Sequence, residues 1–447
     1  MDKERENIAL YLGIHPILSE LSDAVRKRYF AFLSYYTALS KTKTRFSEAL
    51  LTLYKEKILG EEDIVVAPSP SIAGLFKYRF VLLIDVLFIN SFDDEKKAKD
   101  LFFKIRIKSN LADCYWLKMR QLFDRLYSGG NGVVFPQVEQ IIDIWKQNQR
   151  FAQLPTFRVA FTANMSAGKS TLVNALVGKR INRSQNLACT AKLHYILSKP
   201  VEDGFISEDD HTLNLDADLQ TLMTDDADNS SNIITVSTYY RMLTDQLGPI
   251  SLLDTPGVNS ALDKEHKYIA EKEMRKRRFD ELVYVINANS IGTDDEKQYM
   301  KKLSEIMPKK PIIFAVNKLD SFRSGEDDIA GTIESIWEDI NKLPFKNVKV
   351  CPVSAYAGCL AKRALFDGDL DEDEEEELDT FLRLFRKEGH NLSRFYSQDT
   401  ISACSKVIAD EPDESRRNYI QMLCDCGILP LGRVLQDEHR RLIYERN

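Results

Sequence analysis

Residues 157–178 have the sequence FRVAFTANMSAGKSTLVNALVG. The apolar, β-rich residues 157–162 predict a strand, and the apolar spacing after Ser170 predicts a helix. Between them lies a loop of small residues that leads into Gly168-Lys169-Ser170. A strand, a tight loop, Gly-Lys-Ser and a helix in this order make up the phosphate-binding P-loop. This stretch therefore predicts an α/β domain that binds a phosphate group.

The predicted loop supplies several groups to a bound phosphate. Its backbone N–H groups would turn inward around the anion, and the dipole of the following helix would favour the same charge. Lys169 is expected to reach the outer phosphates, the Ser170 hydroxyl to ligate Mg²⁺, and the small Ser166 side chain to lie beside the phosphates. We assign nucleotide binding to the whole loop: Asn164, Met165, Ser166, Ala167, Gly168, Lys169, Ser170 and Thr171.

Two downstream motifs carry groups for a metal ion and for the outermost phosphate. Thr190 precedes the strand predicted at 192–197, where its hydroxyl is placed to ligate Mg²⁺ and its carbonyl to hold an attacking water. Asp254-Thr255-Pro256-Gly257 follows the strand predicted at 250–253. Asp254 is expected to hold Mg²⁺ through water, and the Gly257 N–H is expected to meet the γ-phosphate.

Two further motifs predict which base is bound. Asn317-Lys318-Leu319-Asp320 ends the strand predicted at 312–316, and Ser354-Ala355 follows the strand predicted at 348–353. A carboxylate accepts hydrogen bonds from N1–H and the 2-amino group of guanine, and adenine lacks both donors. We expect Asn317, Lys318 and Asp320 to select guanine, and an N–H of Ser354-Ala355 to reach its oxygen. Each motif also occurs as a plain turn or helix start, but their order and positions at strand ends predict GTP with Mg²⁺.

The regions around these motifs predict the domain organisation. Residues 151–362 alternate strands with helices, which is typical of a doubly wound, mixed α/β sheet. Residues 1–150 and 363–447 show the apolar spacing of helices, so we expect a GTPase domain flanked by two helical regions. In the first region, Ile8, Tyr11 and Leu12 recur at helical spacing, and a second helical run covers residues 29–59. The predicted strands are 157–162, 192–197, 233–238, 250–253, 282–287, 312–316 and 348–353. The predicted helices within the domain are 170–177, 264–278, 294–306 and 329–343.

Composition limits the protein class. Hydrophobic residues make up 44% of the 447 residues, which is enough for real cores, and the net charge of −7 argues against nucleic-acid binding. The seven cysteines include no CxxC pair, so we expect free thiols in a cytoplasmic protein. The longest apolar run, 80–89, is about half of the length that a membrane span requires, so any membrane contact is expected to be peripheral.

Several segments together resemble the dynamin-like GTPases, especially the bacterial ones: GKSTLVNALVG, CTA at 189–191, DTPGVNS, NANSIGTDDE and NKLD. The resemblance covers about residues 155–360, and GILPL at 427–431 is similar to a short motif near the end of such domains. It implies attack of water on the γ-phosphate of GTP, with Lys169, Ser166 and Thr190 as catalytic residues. It also implies a homo-dimer or oligomer formed through the GTPase domain, often on membranes.

Two P-loop residues differ from the usual sequence of that family. Its P-loops usually begin with Gly, and Ala163 here requires a backbone outside the left-handed region or costs strain. Met165 replaces a polar catalytic helper of the eukaryotic dynamins and cannot orient water. The alternative interpretation is therefore a slow GTP-dependent switch or scaffold that recruits a protein through its helical regions. A third interpretation is an RNA-linked GTPase of the Era type. The acidic net charge of the chain and the lack of a basic RNA-binding appendage argue against it.

Two further segments with notable acidic residues lie outside these motifs. Residues 78–105 resemble the TerB-like helical modules of bacterial stress proteins, in which Asp85, Asp93 and Asp94 would be the matching positions. They predict either a metal site or, alternatively, a locally paired Asp85 and a solvated helix start. The acidic run 367–377 lacks the Gly and Glu spacing of an EF-hand and predicts a solvated linker or helix start.

Overall fold

The computed structural model describes residues 7–40, 43–60, 72–109, 111–129, 133–164, 166–182, 193–218, 222, 233–243, 247–255, 278–307, 311–323 and 327–446. The chain forms two compact units. The helical unit comprises Met1–Gln153 and Lys199–Ala217, and the sheet unit comprises Leu154–Ser198 and Asp218–Asn447. Two differences from the expected organisation follow: a segment from the predicted GTPase domain belongs to the helical unit, and the C-terminal helices belong to the sheet unit. The division into 1–150, 151–362 and 363–447 stays a prediction.

The helical unit contains six described α-helices and a β-hairpin. The helices are α1 (Asp23–Thr37), α2 (Arg45–Leu59), α3 (Arg79–Ser91), α4 (Glu95–Lys108), α5 (Asp113–Tyr127) and α6 (Glu139–Gln153). The antiparallel hairpin consists of β3 (Ser207–Asp210) and β4 (Thr212–Asn214). The apolar run 29–59 is two helices, because Thr44 and Ser47 form a capping box that starts α2.

The first described residues of this unit are not an α-helix, although Ile8, Tyr11 and Leu12 have helical spacing. Ala9 exchanges two 2.8 Å hydrogen bonds with the side chain of Asn148, and the Leu10 N–H donates to Asp203 Oδ2 at 2.7 Å. These side chains satisfy the backbone groups that a helix would otherwise pair. Tertiary contacts therefore override the local periodicity.

Asp85 lies in the interior of α3, is fully buried, and is the centre of a polar cluster in the helical unit. It accepts hydrogen bonds from the phenols of Tyr11 (3.0 Å), Tyr29 (2.5 Å) and Tyr54 (2.9 Å), and His15 Nε2 lies 3.0 Å from it. Burial, followed by the nearby charge of Asp85 and neighbouring phenols, raises the pKa of all three tyrosines well above their usual value.

The structure decides between the two interpretations of the TerB-like segment. Asp94 caps α4 by accepting from the Lys97 N–H at 2.9 Å, whereas Asp85 points into the Tyr/His cluster. Within the described ranges, no group of three or more His, Cys, Asp or Glu is arranged to hold a metal ion. The local-pairing alternative therefore describes Asp85, and the helix-start alternative describes Asp94.

The sheet unit is built on seven strands in the order β5-β2-β6-β1-β7-β8-β9. They are β1 (Phe157–Ala163), β2 (Leu193–Ser198), β5 (Ile233–Thr238), β6 (Ile250–Asp254), β7 (Glu281–Asn287), β8 (Ile312–Asn317) and β9 (Val348–Pro352). All neighbouring pairs among them are parallel except β2 with β6. This is the mixed, doubly wound sheet that the alternating pattern predicted, so the fold class is confirmed.

Eight described α-helices belong to the sheet unit: α7 (Lys169–Val177), α8 (Asp294–Ile306), α9 (Ile329–Asn341), α10 (Ala355–Phe366), α11 (Glu372–Phe385), α12 (Gln398–Asp410), α13 (Glu414–Asp425) and α14 (Ile428–Arg446). The helix expected at 264–278 lies almost entirely outside the described residues. The acidic run is a helix start, because Asp371 and Glu374 form the capping box of α11. Arg363 of α10 binds Asp369 and Glu374, which fixes this run to the preceding helix.

Helix α10 also supports the helix that follows the P-loop. Lys362 of α10 is buried and donates to Leu176 O at the end of α7 and to Arg241 O, both at 2.9 Å. Burial lowers the pKa of Lys362 to about 7. The last turn of α7 is thus capped by a side chain almost 190 residues later in the chain.

Two negative findings concern the described part of the chain. None of its helices is long and apolar enough to cross a bilayer. Its six cysteines are free thiols, in agreement with the expectation from their spacing.

Candidate nucleotide-binding site

Those predicted site residues that the structure describes lie at the carboxyl ends of four strands of the sheet unit. Strands β6, β1, β7, β8 and β9 are consecutive neighbours and parallel, so their carboxyl ends share one edge of the sheet. The P-loop follows β1, Asp254 ends β6, Asn317 ends β8, and Ser354 follows β9. Parallel sheets bind ligands at this edge, where loops converge and side chains from distant segments meet.

The P-loop backbone shows where small residues are required. Ala163 is the buried last residue of β1 and has no left-handed backbone, so the expected strain does not arise. Ser166 (φ 59°) and Gly168 (φ 81°) carry the left-handed conformations instead. A Cβ on Gly168 would lie 2.4 Å from Asn317 Nδ2, so a larger residue is excluded there by both conformation and contact.

Asp254 brings together the side chains assigned to phosphate and metal. It accepts from Lys169 Nζ in a close ion pair and from the Ser170 hydroxyl at 2.9 Å. Asn182 Nδ2 donates to the same carboxylate at 2.9 Å. Lys169 and Asp254 are nearly buried, so this charge pair is little screened by solvent. The cation, the hydroxyl and the carboxylate that the sequence assigned to phosphate and Mg²⁺ thus lie within contact distance of each other.

Asn182 and Asn174 were not singled out from the sequence. Asn174 of α7 accepts from the N–H groups of Ile181 and Asn182 at 3.1 and 2.9 Å, and it donates to Asn182 O at 2.8 Å. It thereby holds the segment that carries Asn182 next to Asp254. Asn174 lies inside the quoted P-loop stretch, but an isolated Asn in a helix does not reveal such a partner.

The groups assigned to guanine form a second cluster. Asp320 accepts from the Ser354 hydroxyl at 2.6 Å. Asn317 is buried and bridges two loops: its Nδ2 donates to Ala167 O and its Oδ1 accepts from the Ala355 N–H, both at 2.9 Å. Asn317 thus joins the P-loop to the loop after β9.

The backbone N–H groups expected to reach the guanine oxygen have partners within the protein. The Ala355 N–H donates to Asn317, and the Ser354 N–H donates to Cys426 O at 2.9 Å. A base contact through either N–H therefore requires a shared or exchanged hydrogen bond. Lys318 adopts a left-handed backbone (φ 68°) directly before the helical turn that contains Asp320.

Glu296 is a further residue that the sequence motifs did not single out. It lies in the first turn of α8, is buried, and accepts from P-loop Asn164 Nδ2 at 2.5 Å and from the Tyr284 phenol. Burial raises the pKa of Glu296, while these two hydrogen bonds lower it. Nearby, the Thr162 and Tyr299 hydroxyls lie 2.7 Å apart. The start of α8 thereby anchors the start of the P-loop.

Three of the assigned residues lie outside the described part of the chain: Met165, Thr190 and Gly257. The assigned residues from Asn164 to Thr171, with the exception of Met165, follow β1 and form the P-loop and the first turn of α7. Asp254, Asn317, Asp320 and Ser354 approach that loop through the contacts described above.

Comparison with known proteins identifies relatives of this site. A family model described as the dynamin family matches residues 159–319. The chain is 27% identical over 207 residues to a probable transmembrane GTPase of Arabidopsis thaliana, FZO-like and chloroplastic, a match that covers 46% of this chain and 20% of that protein. It is 27% identical over 168 residues to dynamin-like protein A of Bacillus subtilis, covering 36% of this chain and 13% of that protein.

A third relative belongs to another group of GTPases. The chain is 35% identical over 96 residues to GTPase Era of Carboxydothermus hydrogenoformans, which covers 21% of this chain and 32% of that protein. The chain thus spans a third or less of the length of each of these three proteins. The matches confirm the resemblance to dynamin-like GTPases that the motifs indicated.

Proposed function

We propose that this chain, which carries a dynamin-family domain at residues 159–319, binds GTP with Mg²⁺ and hydrolyses it to GDP. The observation that carries the proposal is the meeting of Lys169, Ser170 and Asp254 at one edge of the sheet. Asn317 and Asp320 lie at the end of β8 on the same edge, where they suit a guanine base. One surface thus offers groups for phosphate, metal and base.

The donor set suits Mg²⁺. The Ser170 hydroxyl and the Asp254 carboxylate are hard oxygen ligands, and Mg²⁺ in nucleotide sites takes few protein ligands and completes its shell with phosphates and water. Thr190 is the third proposed ligand. When bound, the ion would neutralise charge on the phosphates. Lys169 would exchange its contact with Asp254 for the outer phosphates, because both are anionic partners within its reach.

The chain's own groups would then act on the γ-phosphate. Lys169, Ser166 and the loop N–H groups would stabilise the charge that develops in the transition state, which is the main protein contribution to phosphoryl transfer. Thr190 would hold the attacking water, and Gly257 would sense the γ-phosphate. Glu296 and Asn317 would keep the P-loop in place through Asn164 and Ala167.

Lys169→Ala tests the phosphate site. The variant should lose hydrolysis and bind GTP much more weakly, because Lys169 is the only cation among the described residues that contacts Asp254. Fluorescent-nucleotide titration and phosphate release measure the two effects. Lys346→Ala, a change at an exposed lysine of the same unit, is the matched control. Wild-type turnover by Lys169→Ala would show that the site is misassigned.

Asp320→Asn tests the base. An amide at this position presents a donor to the guanine donors, so preference should move from GTP toward XTP, whose C2 carbonyl accepts a hydrogen bond. Competition titrations with GTP, XTP and ATP measure the shift. Asp295→Asn, at an exposed acid of α8, serves as control. Unchanged selectivity for GTP would refute the role of Asp320.

The finer part of the proposal is that hydrolysis is coupled to self-association through the GTPase domain. The protein would act in the cytoplasm and contact the membrane peripherally. The dynamin-family match supports it. The competing function is a slow switch or scaffold, which the apolar Met165 in the P-loop favours. Turnover per molecule that rises steeply with protein concentration supports coupling to assembly, and turnover independent of concentration supports the switch.

A further inference from the structure

A groove between α4 and α5 of the helical unit combines an aromatic floor with a basic rim. It encloses a cavity of ≈ 270 Å³ lined by Lys99, Phe102, Phe103, Arg106, Arg120 and Phe123. The Phe102 ring packs against Phe123 and Trp116, with centroids 5.0 and 5.4 Å apart, so the floor is rigid. We call this feature the α4–α5 groove.

The charge of these two helices is opposite to that of the whole protein. Helices α4 and α5 carry nine Lys and Arg against four Asp and Glu, a net charge of +5, whereas the chain has −7. Lys99, Arg106 and Arg120 each contact an acid within seven residues in sequence, at 2.7 to 2.9 Å. These pairs are exposed, and exposed pairs contribute little, so the three cations can exchange their partners for an external anion.

Large apolar side chains stand beside the cations on the outer surface. Phe103 is 60% exposed, Ile107 63% and Leu117 66%. Phe103 and Ile107 are one turn apart on α4, among Lys99 and Arg106, so apolar and basic side chains share one surface. Soluble surfaces rarely concentrate such residues without a binding partner.

We propose that the α4–α5 groove is the surface by which this protein contacts an anionic lipid bilayer. Interleaved cations and protruding apolar side chains are what an interfacial membrane site requires, since the former attract lipid phosphates and the latter enter the acyl boundary. The exposed Phe103, Ile107 and Leu117 give both helices apolar side chains that can enter the acyl boundary next to the cations. The inference rests on the membrane contact proposed above and locates it outside the dynamin-family domain.

Vesicle flotation of the full chain tests this assignment. Wild type should float with phosphatidylcholine vesicles that contain phosphatidylglycerol, should not float with pure phosphatidylcholine, and should be released by high salt. The first variant replaces Lys99, Arg106 and Arg120 with Gln. Each cation near an anionic surface contributes about five-fold, so partitioning should fall by about 100-fold. A second variant with Ser at Phe103, Ile107 and Leu117 should lose about ten-fold or more.

Matched controls keep the result specific. Gln at Arg383, Arg386 and Lys387 removes three exposed cations elsewhere, and Leu21→Ser removes the most exposed leucine of the helical unit. Both should float like wild type, and GTP binding should be unchanged in every variant. Equal flotation of the groove variants and wild type would overturn the assignment of the groove as the membrane-binding surface. If wild type does not float, the proposed membrane contact itself is wrong. If the groove variants no longer self-associate in the absence of vesicles, the groove would instead be a contact with a second copy of the chain. That result would overturn the proposal.

Discussion

Replacing Glu281 with glutamine should stabilise the sheet unit at neutral pH. Glu281 is the first residue of β7 and is only 2% exposed. One of its carboxyl oxygens has no hydrogen-bond partner among the described residues. Burial, and secondarily the neighbouring carboxylate of Glu438 on α14, raises the pKa of Glu281 to about 8, although Arg441 and Lys349 oppose this effect.

The magnitude follows from that pKa. The ordinary value is 4.5, so the difference is 3.5 pH units. At about 1.4 kcal/mol per unit, the charged form of Glu281 costs the folded state about 5 kcal/mol. Below pH 4.5 the group is protonated in both states and has no effect. Between pH 4.5 and 8 the unfolded chain has lost a proton that the folded chain keeps, so the free energy of unfolding falls as pH rises.

The glutamine variant stays neutral and should lack this slope. Its advantage over wild type should be near zero at pH 4.5 and should grow to as much as about 5 kcal/mol at pH 8. Urea unfolding at several pH values, followed by circular dichroism and by tryptophan fluorescence, to which Trp337 of α9 contributes from the sheet unit, measures the difference. Glu305→Gln, an exposed control on α8, should leave the slope unchanged. Parallel pH curves for wild type and Glu281→Gln would refute the reasoning.

Two further predictions concern buried polar contacts. Asn164→Ala should weaken nucleotide binding by roughly 5- to 100-fold, because it releases the P-loop from Glu296 and leaves that buried carboxyl with one donor fewer. Titration with a fluorescent GTP analogue measures this, and an affinity equal to wild type would contradict the anchoring role. Asp85→Ala should destabilise the helical unit by about 3–5 kcal/mol, since three buried phenols lose their acceptor. Urea unfolding measures it against the exposed control Asp100→Ala, and equal losses in both would contradict the cluster's role.

Much of the sheet unit was predictable because each strand is a short apolar run bounded by polar residues. All seven predicted strands exist, with ends that differ by one residue at most. The hairpin β3–β4 was missed, since its sequence, SEDD and TLN around His211, shows no run of apolar or β-branched residues. The helix expected near Ile8 was wrong for the opposite reason. Its periodicity is helical, but distant side chains take its backbone groups.

The sequence by itself determined the P-loop, the order of the motifs after it and the edge of the sheet at which they meet. These follow from local periodicity, from residue types at fixed spacing and from the parallel arrangement that such patterns impose. Only the tertiary structure decided that Ala163 costs no strain, that Asn317 joins two loops and that Glu296 anchors Asn164. The physical reason is that these contacts join residues 38 to 150 positions apart, or depend on a backbone angle, and no local pattern records either.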